Sequence, residues 1–190
     1  MDEYSNQEAA VLAAIQDILS GNTESYRVIV DTYERQMYHL ALNYLASRED
    51  AEEAVQEIFI KIYNNLDKFS LDRRFFPWMY TIALNYLKTK YKKIKRRGSR
   101  QKDLQEDEEM ERMPASDNPE EEYQHMETRQ ELRNAVDRLP DKYREVILLF
   151  YFQGMDVEGI TEVMDIGKEN VKSRLFRARK KLKEILDSGI

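Results

Sequence analysis

The chain has 190 residues, with 30 Lys and Arg against 36 Asp and Glu for a net charge of −6, two His and no Cys. The lack of Cys excludes a disulfide framework, a thiolate zinc site, an iron–sulfur cluster and a Cys nucleophile, and His39 and His125 are too far apart in sequence to suggest a metal site. No run of 18 apolar residues is present, which excludes a membrane-spanning helix, and the acidic start Met1-Asp2-Glu3-Tyr4 is unlike a signal peptide. The expectation is a mostly helical cytoplasmic protein with no direct membrane insertion.

Apolar residues recur with a period near 3.6 along most of the chain, the mark of amphipathic helices. Val11, Ala14, Ile15 and Ile18 form a first stripe, stopped by Gly21. Asn22 or Thr23 is placed to cap a second helix carrying Tyr26, Ile29, Val30, Tyr33, Met37, Leu40, Ala41 and Tyr44. Ser47 followed by Asp50 reads as an N-cap with acidic support. The helix it opens has Ala51, Ala54, Val55, Ile58, Phe59 and Ile62 on one face. A loop spans about 67–74, and Pro77 suits the first turn of the next helix, which holds Trp78, Ile82 and Leu84 and runs into a set of lysines.

The stretch from about 98 to 124 has the composition of a linker. It contains Pro114, Ser116, Asp117, Asn118 and Pro119 and has few apolar residues, too few to offset the entropy of ordering. Helices resume near Glu127–Asp137, then from Leu139-Pro140-Asp141 to about Gly154, with Val146, Ile147, Leu149 and Phe150 inside. A short helix over Asp156–Met164, a turn Asp165-Ile166-Gly167 and a final helix over Lys168–Leu186 make a helix-turn-helix pattern. The fold expected is all-α: a domain at 1–97, a flexible acidic linker at 98–124 and a domain at 125–190.

Charge is segregated along this plan. Residues 1–87 carry net −7, 88–102 net +9, 103–122 net −9, 123–167 net −4 and 168–190 net +5. Two basic blocks, each at the end of a helical pattern, point to two anion-binding surfaces in an otherwise acidic chain.

Four segments, in order, resemble the sigma-70 family of bacterial RNA polymerase initiation factors, and in particular its small extracytoplasmic-function (ECF) type with only regions 2 and 4. Ala51-Glu52-Glu53-Ala54-Val55-Gln56-Glu57-Ile58-Phe59 is similar to the region 2.2 motif. Phe69, Phe75, Trp78, Tyr80, Ile82, Ala83 and Asn85 match the region 2.3–2.4 pattern. Leu139-Pro140 with Arg144 is similar to the start of region 4, and Val171 to Arg179 matches the recognition helix. The sequence departs from the family at Thr89 (usually Asp), Met79 (usually Leu), Gly159-Ile160-Thr161 (usually Glu-Ile-Ala) and Glu169-Asn170 (usually Gly-Thr).

The resemblance implies a factor that binds core RNA polymerase through its β′ clamp and β flap, reads minus-35 and minus-10 promoter elements and promotes melting. It also implies an anti-sigma partner, with no catalytic residues, no cofactor and no metal of its own. On it, Glu53, Gln56 and Glu57 form the polymerase face; as residues alone they make a solvated polar helix face. Minus-10 DNA contacts fall to Phe69, Arg73 and Phe76 of the loop, to Asn85 for hydrogen bonding, and to Lys88, Lys92, Lys93 and Arg96 for phosphates. Aromatic faces and cations fit that task because stacking retains an unpaired base, at about 1–3 kcal/mol per base, and because phosphate neutralisation releases counterions. Minus-35 contacts fall to Lys168, Lys172, Ser173, Phe176, Arg177 and Lys180, since Arg can take guanine bidentately and an aromatic edge can meet a thymine methyl. The net −9 linker could mimic nucleic acid in the polymerase channel. The alternatives are a stand-alone helix-turn-helix regulator that needs no polymerase, and a helical adaptor with no role on DNA.

Overall fold

In the computed structural model, which describes residues 2–98 and 131–188, the described residues are helical with short connections and form no strand. Helix α1, Asp2–Leu19, buries Val11, Ala14 and Ile15 and ends where Gly21 takes φ +108°, a conformation open to glycine. The capping expected from Asn22 or Thr23 is not made. Thr23–Ser25 form a single 3₁₀ turn that leads into α2, Tyr26–Leu45, and no side chain caps α2. The Asn22 amide instead donates to Ser25 Oγ at 3.1 Å.

Helix α2 buries Ile29, Tyr33, Met37, Leu40, Ala41, Tyr44 and Leu45. Helix α3, Arg48–Tyr63, starts at the expected Ser47 cap, whose Oγ accepts from Asp50 N at 3.2 Å. Tyr26 Oη donates to the Phe59 carbonyl at 2.6 Å and ties the start of α2 to α3. Burial pushes the Tyr26 phenol well above its ordinary range, so it remains a donor.

Helix α4, Phe75–Gly98, crosses both of these helices. Its first turn, which contains Pro77, is capped from another helix: Phe75 N donates to Glu8 Oε1 of α1 at 2.7 Å. This satisfies one of the amide groups left open at a helix start. The expected linker at 98–124 lies outside the described residues apart from Gly98 in the last turn of α4, and so does the acidic mimic proposed for it.

The second half begins with helix α5 at 131–137 and continues with α6, Asp141–Ile147, opened by Pro140. Leu148–Phe152 then widen into a π turn, with Gln153 N donating to the Leu148 carbonyl at 3.1 Å. Gly154 at φ +63° ends it. Helix α7, Val157–Met164, is capped by Asp156, whose Oδ1 accepts from Gly159 N at 2.7 Å. Asp165 at φ +50° makes the turn into α8, Lys168–Asp187, with Val171, Leu175 and Ala178 buried.

The two halves share one core. α4 packs on α7, and the end of α6 packs on α2. Thr81 Oγ1 donates to the Val163 carbonyl at 3.1 Å, and Tyr80 Oη donates to Gln153 Oε1 at 3.0 Å. Charges also cross the seam. Arg144, 1 % exposed, lies with its guanidinium carbon 3.5 Å from the Tyr91 ring centre and 4.1 Å from that of Tyr44, and it donates to the Tyr44 carbonyl at 2.8 Å.

Candidate nucleic-acid interface

One face of α4 carries Trp78, Ile82, Asn85, Tyr86 and Thr89. With Lys61, Asn65 and Lys68 from the end of α3 and the turn after it, they line an open depression of about 550 Å³. The rim is set by local hydrogen bonds. Asn65 Nδ2 donates to the Lys61 carbonyl at 2.8 Å, and Lys68 Nζ donates to Asn65 Oδ1 at 2.8 Å. Lys61 Nζ lies 5.6 Å from the Tyr86 ring centre. Thr89, where the family usually has Asp, turns its hydroxyl back to the Asn85 carbonyl at 2.9 Å. The depression therefore offers an exposed amide with donor and acceptor, an indole face and two ammonium groups. These are the groups that recognise an unstacked base and its phosphate.

The loop aromatics expected to hold bases are arranged differently. Phe69 is a core residue: it is buried, edge-on to Phe75 at 5.3 Å and tilted against Trp78 at 5.1 Å. It backs the indole and offers no face of its own to a base. Phe76 points to the opposite side of α4, against Tyr80 at 4.4 Å and Tyr33 at 6.2 Å, and does not line the depression. Each ring gains more by packing against other aromatics at the start of α4 than by facing water, Phe69 on Phe75 and Trp78 and Phe76 on Tyr80 and on Tyr33 of α2. Arg73 remains exposed at the loop. Next to it Ser70 donates its hydroxyl to Asp72, which holds that carboxyl below its ordinary range. Trp78 is half-buried and forms part of the depression. Lys61 and Lys68 were missed because they lie some 20 residues from Asn85 in sequence, and only the packing of α3 on α4 brings them together.

The basic stretch of α4 splits into three sets. Lys93 is exposed on the turn beyond the depression, and Arg96, also exposed, lines a separate open cleft of about 510 Å³ with Lys92, Lys95, Asp137 and Asp141. Lys88 and Lys92 turn towards the second half: Lys88 Nζ is 3.0 Å from Glu145 Oε1, and Lys92 Nζ is 3.6 Å from Asp141 Oδ2. Lys90 turns towards α3, 2.8 Å from Glu53 Oε2 and 3.5 Å from Asp50 Oδ1. Burial works against the charge on Lys90, but the hydrogen bond it donates to Glu53 and the nearby Tyr86, Glu53 and Asp50 outweigh it and raise its pKa.

That contact divides the expected polymerase face. Glu53 is drawn towards α4, and Glu57 is half-buried. Gln56 instead opens on a separate groove of about 460 Å³, lined with Glu52 and Val55 of α3 and Glu34, Arg35 and Tyr38 of α2. Sequence spacing alone did not show α2's share of that groove.

On α8, Lys168, Lys172, Phe176, Arg177 and Lys180 are exposed and Ser173 is half-buried, all on the side away from Val171, Leu175 and Ala178. Phe176 is 65 % exposed, a large ring with no intramolecular reason to face water. Glu169 pairs with Lys172 at 2.9 Å, and Glu158 lies 3.8 Å from Lys168. Gly159, a departure from the family pattern, sits where a Cβ would come within 2.9 Å of Met155 Cγ and 3.2 Å of Asp156 Oδ1. The space is taken by the residue packed under α7 and by the helix cap. Among the described residues no cluster of His, Asp and Glu could hold a metal, and no helix is long and apolar enough to cross a membrane.

The family description "Sigma-70 region 2" matches residues 29–97, and "Sigma-70, region 4" matches residues 129–182. The chain is 30 % identical over 189 residues to the ECF RNA polymerase sigma factor SigW of Bacillus subtilis, an alignment covering 94 % of this chain and 98 % of that one. It is 32 % identical over 169 residues to the ECF RNA polymerase sigma-E factor of Escherichia coli K12, covering 87 % and 88 %. Among solved structures, CnrH in complex with the cytosolic domain of CnrY superposes with a TM-score of 0.70 at 23 % identity, over 95 % of this chain and 99 % of that one. The sigma factor RpoE in complex with the anti-sigma factor NepR from Bartonella quintana superposes with a TM-score of 0.65 at 20 % identity, over 88 % and 99 %.

Proposed function

The chain belongs to the sigma-70 family as an ECF RNA polymerase sigma factor, a transcription initiation factor and not a stand-alone regulator, and from that premise we propose how its surfaces divide the work. The α4 depression receives an unstacked base of the minus-10 element. Asn85 reads its edge and Trp78 stacks on or beside it, while Lys61, Lys68, Lys93 and Arg96 hold the flanking phosphates. The exposed face of α8 enters the major groove of the minus-35 element. There Arg177 and Lys180 reach base edges or phosphates, and Phe176 meets an apolar base edge. Gln56 and its groove, with Glu57, meet the β′ clamp of core polymerase, and the second half meets the β flap.

On this reading strand opening needs no nucleotide hydrolysis by the factor. Each captured base is worth about 1–3 kcal/mol, comparable to the stacking lost per step, and the polymerase does the covalent chemistry. The factor acts in the cytoplasm and is bound by an anti-sigma protein, as the RpoE of Bartonella quintana is by NepR.

The observation that carries the reading is that one chain presents two separate surfaces suited to DNA: the Asn85–Trp78 depression with its cations, and the exposed Phe176–Arg177 face of a helix-turn-helix. The test is to add purified protein to core polymerase on a library of promoter fragments and sequence the transcripts. Co-elution with core and start sites sharing a spaced pair of motifs support it; no start-site enrichment over core alone overturns it.

A further inference from the structure

The start of α4 carries the indole of the depression and has no acceptor of its own. The residue before the helix is Arg74, a side chain that only donates, at a position where an oxygen is wanted. Arg73 and Arg74 also bring positive charge to the positive end of the helix. Asp72, the acid nearest in sequence, is engaged by the Ser70 hydroxyl, and Arg74 turns its guanidinium to Glu162 of α7. Pro77 has no amide to satisfy, but Phe75 does. Its N–H is taken by Glu8 Oε1 at 2.7 Å, from a half-buried side chain of α1 that lies 67 residues earlier in the chain.

Phe75 is where this hold reaches the depression. Its side chain is fully buried, and its ring centre lies 5.3 Å from that of Phe69 and 5.5 Å from that of Trp78, one turn further along α4. Phe69 and Trp78 are themselves 5.1 Å apart. The three rings close a triangle, so the first turn cannot shift without moving the indole that lines the depression.

We propose that Glu8 is a positioning residue for base capture: by accepting from the Phe75 amide it fixes the first turn of α4, and through the Phe75 ring it sets the Trp78 indole. The inference rests on the base-capture reading above and adds to it a residue of α1 that does not itself line the depression. Order in the first turn matters because only molecules with the indole in place capture a base, and apparent affinity falls with the fraction that is competent.

Trp78 is the single Trp of the chain, so its emission in the free protein reports the depression directly. Glu8→Ala should red-shift that emission and increase its quenching by acrylamide, with circular dichroism showing that helix content persists. Glu8→Gln keeps an acceptor oxygen and should stay near the wild type. Ser47→Ala removes a cap of the same kind from α3 and should leave Trp78 emission unchanged. With core polymerase, Glu8→Ala should lower transcription from a fully duplex promoter about fivefold, the factor to which a cap of about 1 kcal/mol converts, and by about twofold at most on a pre-opened bubble. Ser47→Ala should lower both templates in equal proportion. Adding Arg74→Ser to Glu8→Ala puts a capping hydroxyl at the residue before the helix and should restore both emission and duplex transcription. Wild-type emission and quenching in Glu8→Ala, equal losses on the two templates, or no restoration by Arg74→Ser overturns the positioning role. If Trp78→Ala itself shows equal losses on both templates, the base-capture reading fails, while the emission of Glu8→Ala still decides whether Glu8 sets the indole.

Discussion

Gly159→Ala separates helix propensity from packing. By propensity alone the change should stabilise α7, since Gly inside a helix is about 1 kcal/mol worse than Ala. The structure predicts the opposite sign. A Cβ at 159 would lie 2.9 Å from Met155 Cγ, 3.4 Å from Met155 Sδ and 3.2 Å from Asp156 Oδ1. Met155 is 6 % exposed in the core, and its Cγ is near the backbone, so it cannot move aside freely. Displacing it costs about 1–3 kcal/mol as overpacking. Shifting the Asp156 carboxylate weakens the 2.7 Å cap on Gly159 N, which costs about 1 kcal/mol more. Against a gain of about 1 kcal/mol, the net expectation is a loss of about 1–3 kcal/mol. Urea unfolding followed by circular dichroism measures it. A double-mutant cycle with Met155→Ala should show a coupling of at least about 0.5 kcal/mol, because shortening Met155 vacates the space the new methyl needs. A Gly159→Ala protein more stable than the wild type, or a cycle with no coupling, would show that the crowding around Gly159 does not govern stability.

Trp78→Ala should lower transcription by about 5- to 150-fold on a fully duplex promoter, the equivalent of about 1–3 kcal/mol of base stacking; much of that loss should be recovered on a template with a pre-opened bubble, and equal losses on both templates would place Trp78 outside melting. Arg177→Ala should weaken minus-35 use by about 1–3 kcal/mol and relax preference at a base position, read by promoter-library sequencing; an unchanged profile removes Arg177 from the readout. Stability should fall above about pH 10, because burial raises the Tyr44 phenol above its model-peptide value. A raised pKa favours the protonated folded state, so this contribution is complete below pH 10 and declines by about 1.4 kcal/mol per pH unit as the unfolded chain ionises. Tyr44→Phe keeps the ring beside Arg144 and should flatten the alkaline limb of melting temperature against pH, and an unaltered limb would contradict it.

The helices were legible where an element satisfies its own rules. Ser47 caps α3 through a bond three residues away, and the Val171, Leu175 and Ala178 stripe is buried as its period requires. Gly21 and Gly154 stop helices through positive φ, a property of one residue. The site was only partly legible, because sequence spacing places residues on a helix but not helices on one another. Asn85 could be set on α4 from sequence and lines the depression there; Lys61 and Lys68 required the α3–α4 junction. Phe69 and Phe76 carried the correct chemistry for base stacking, but the aromatic cluster of Phe75, Trp78, Tyr33 and Tyr80 absorbed them. The start of α4 likewise took its cap from Glu8, 67 residues earlier, which no local motif specifies.

Lys88 and Arg144 show why net charge was a weak guide. The overall −6 argues against nucleic acid, and the +9 block at 88–102 argues for it, but neither figure says which cations are available. Lys90 is committed to Glu53 and Asp50, and Lys88 and Lys92 face acids of the other half. Lys93 and Arg96 remain exposed. Arg144 gains from two rings, at about 0.5–2 kcal/mol each, and from its bond to the Tyr44 carbonyl. Against this, its Nε is buried without a hydrogen-bond partner, at a cost of about 1–3 kcal/mol, and the cation has been withdrawn from water. Gains and costs of similar size make Arg144 a residue that fixes how the halves fit, while the apolar core they share supplies the adhesion.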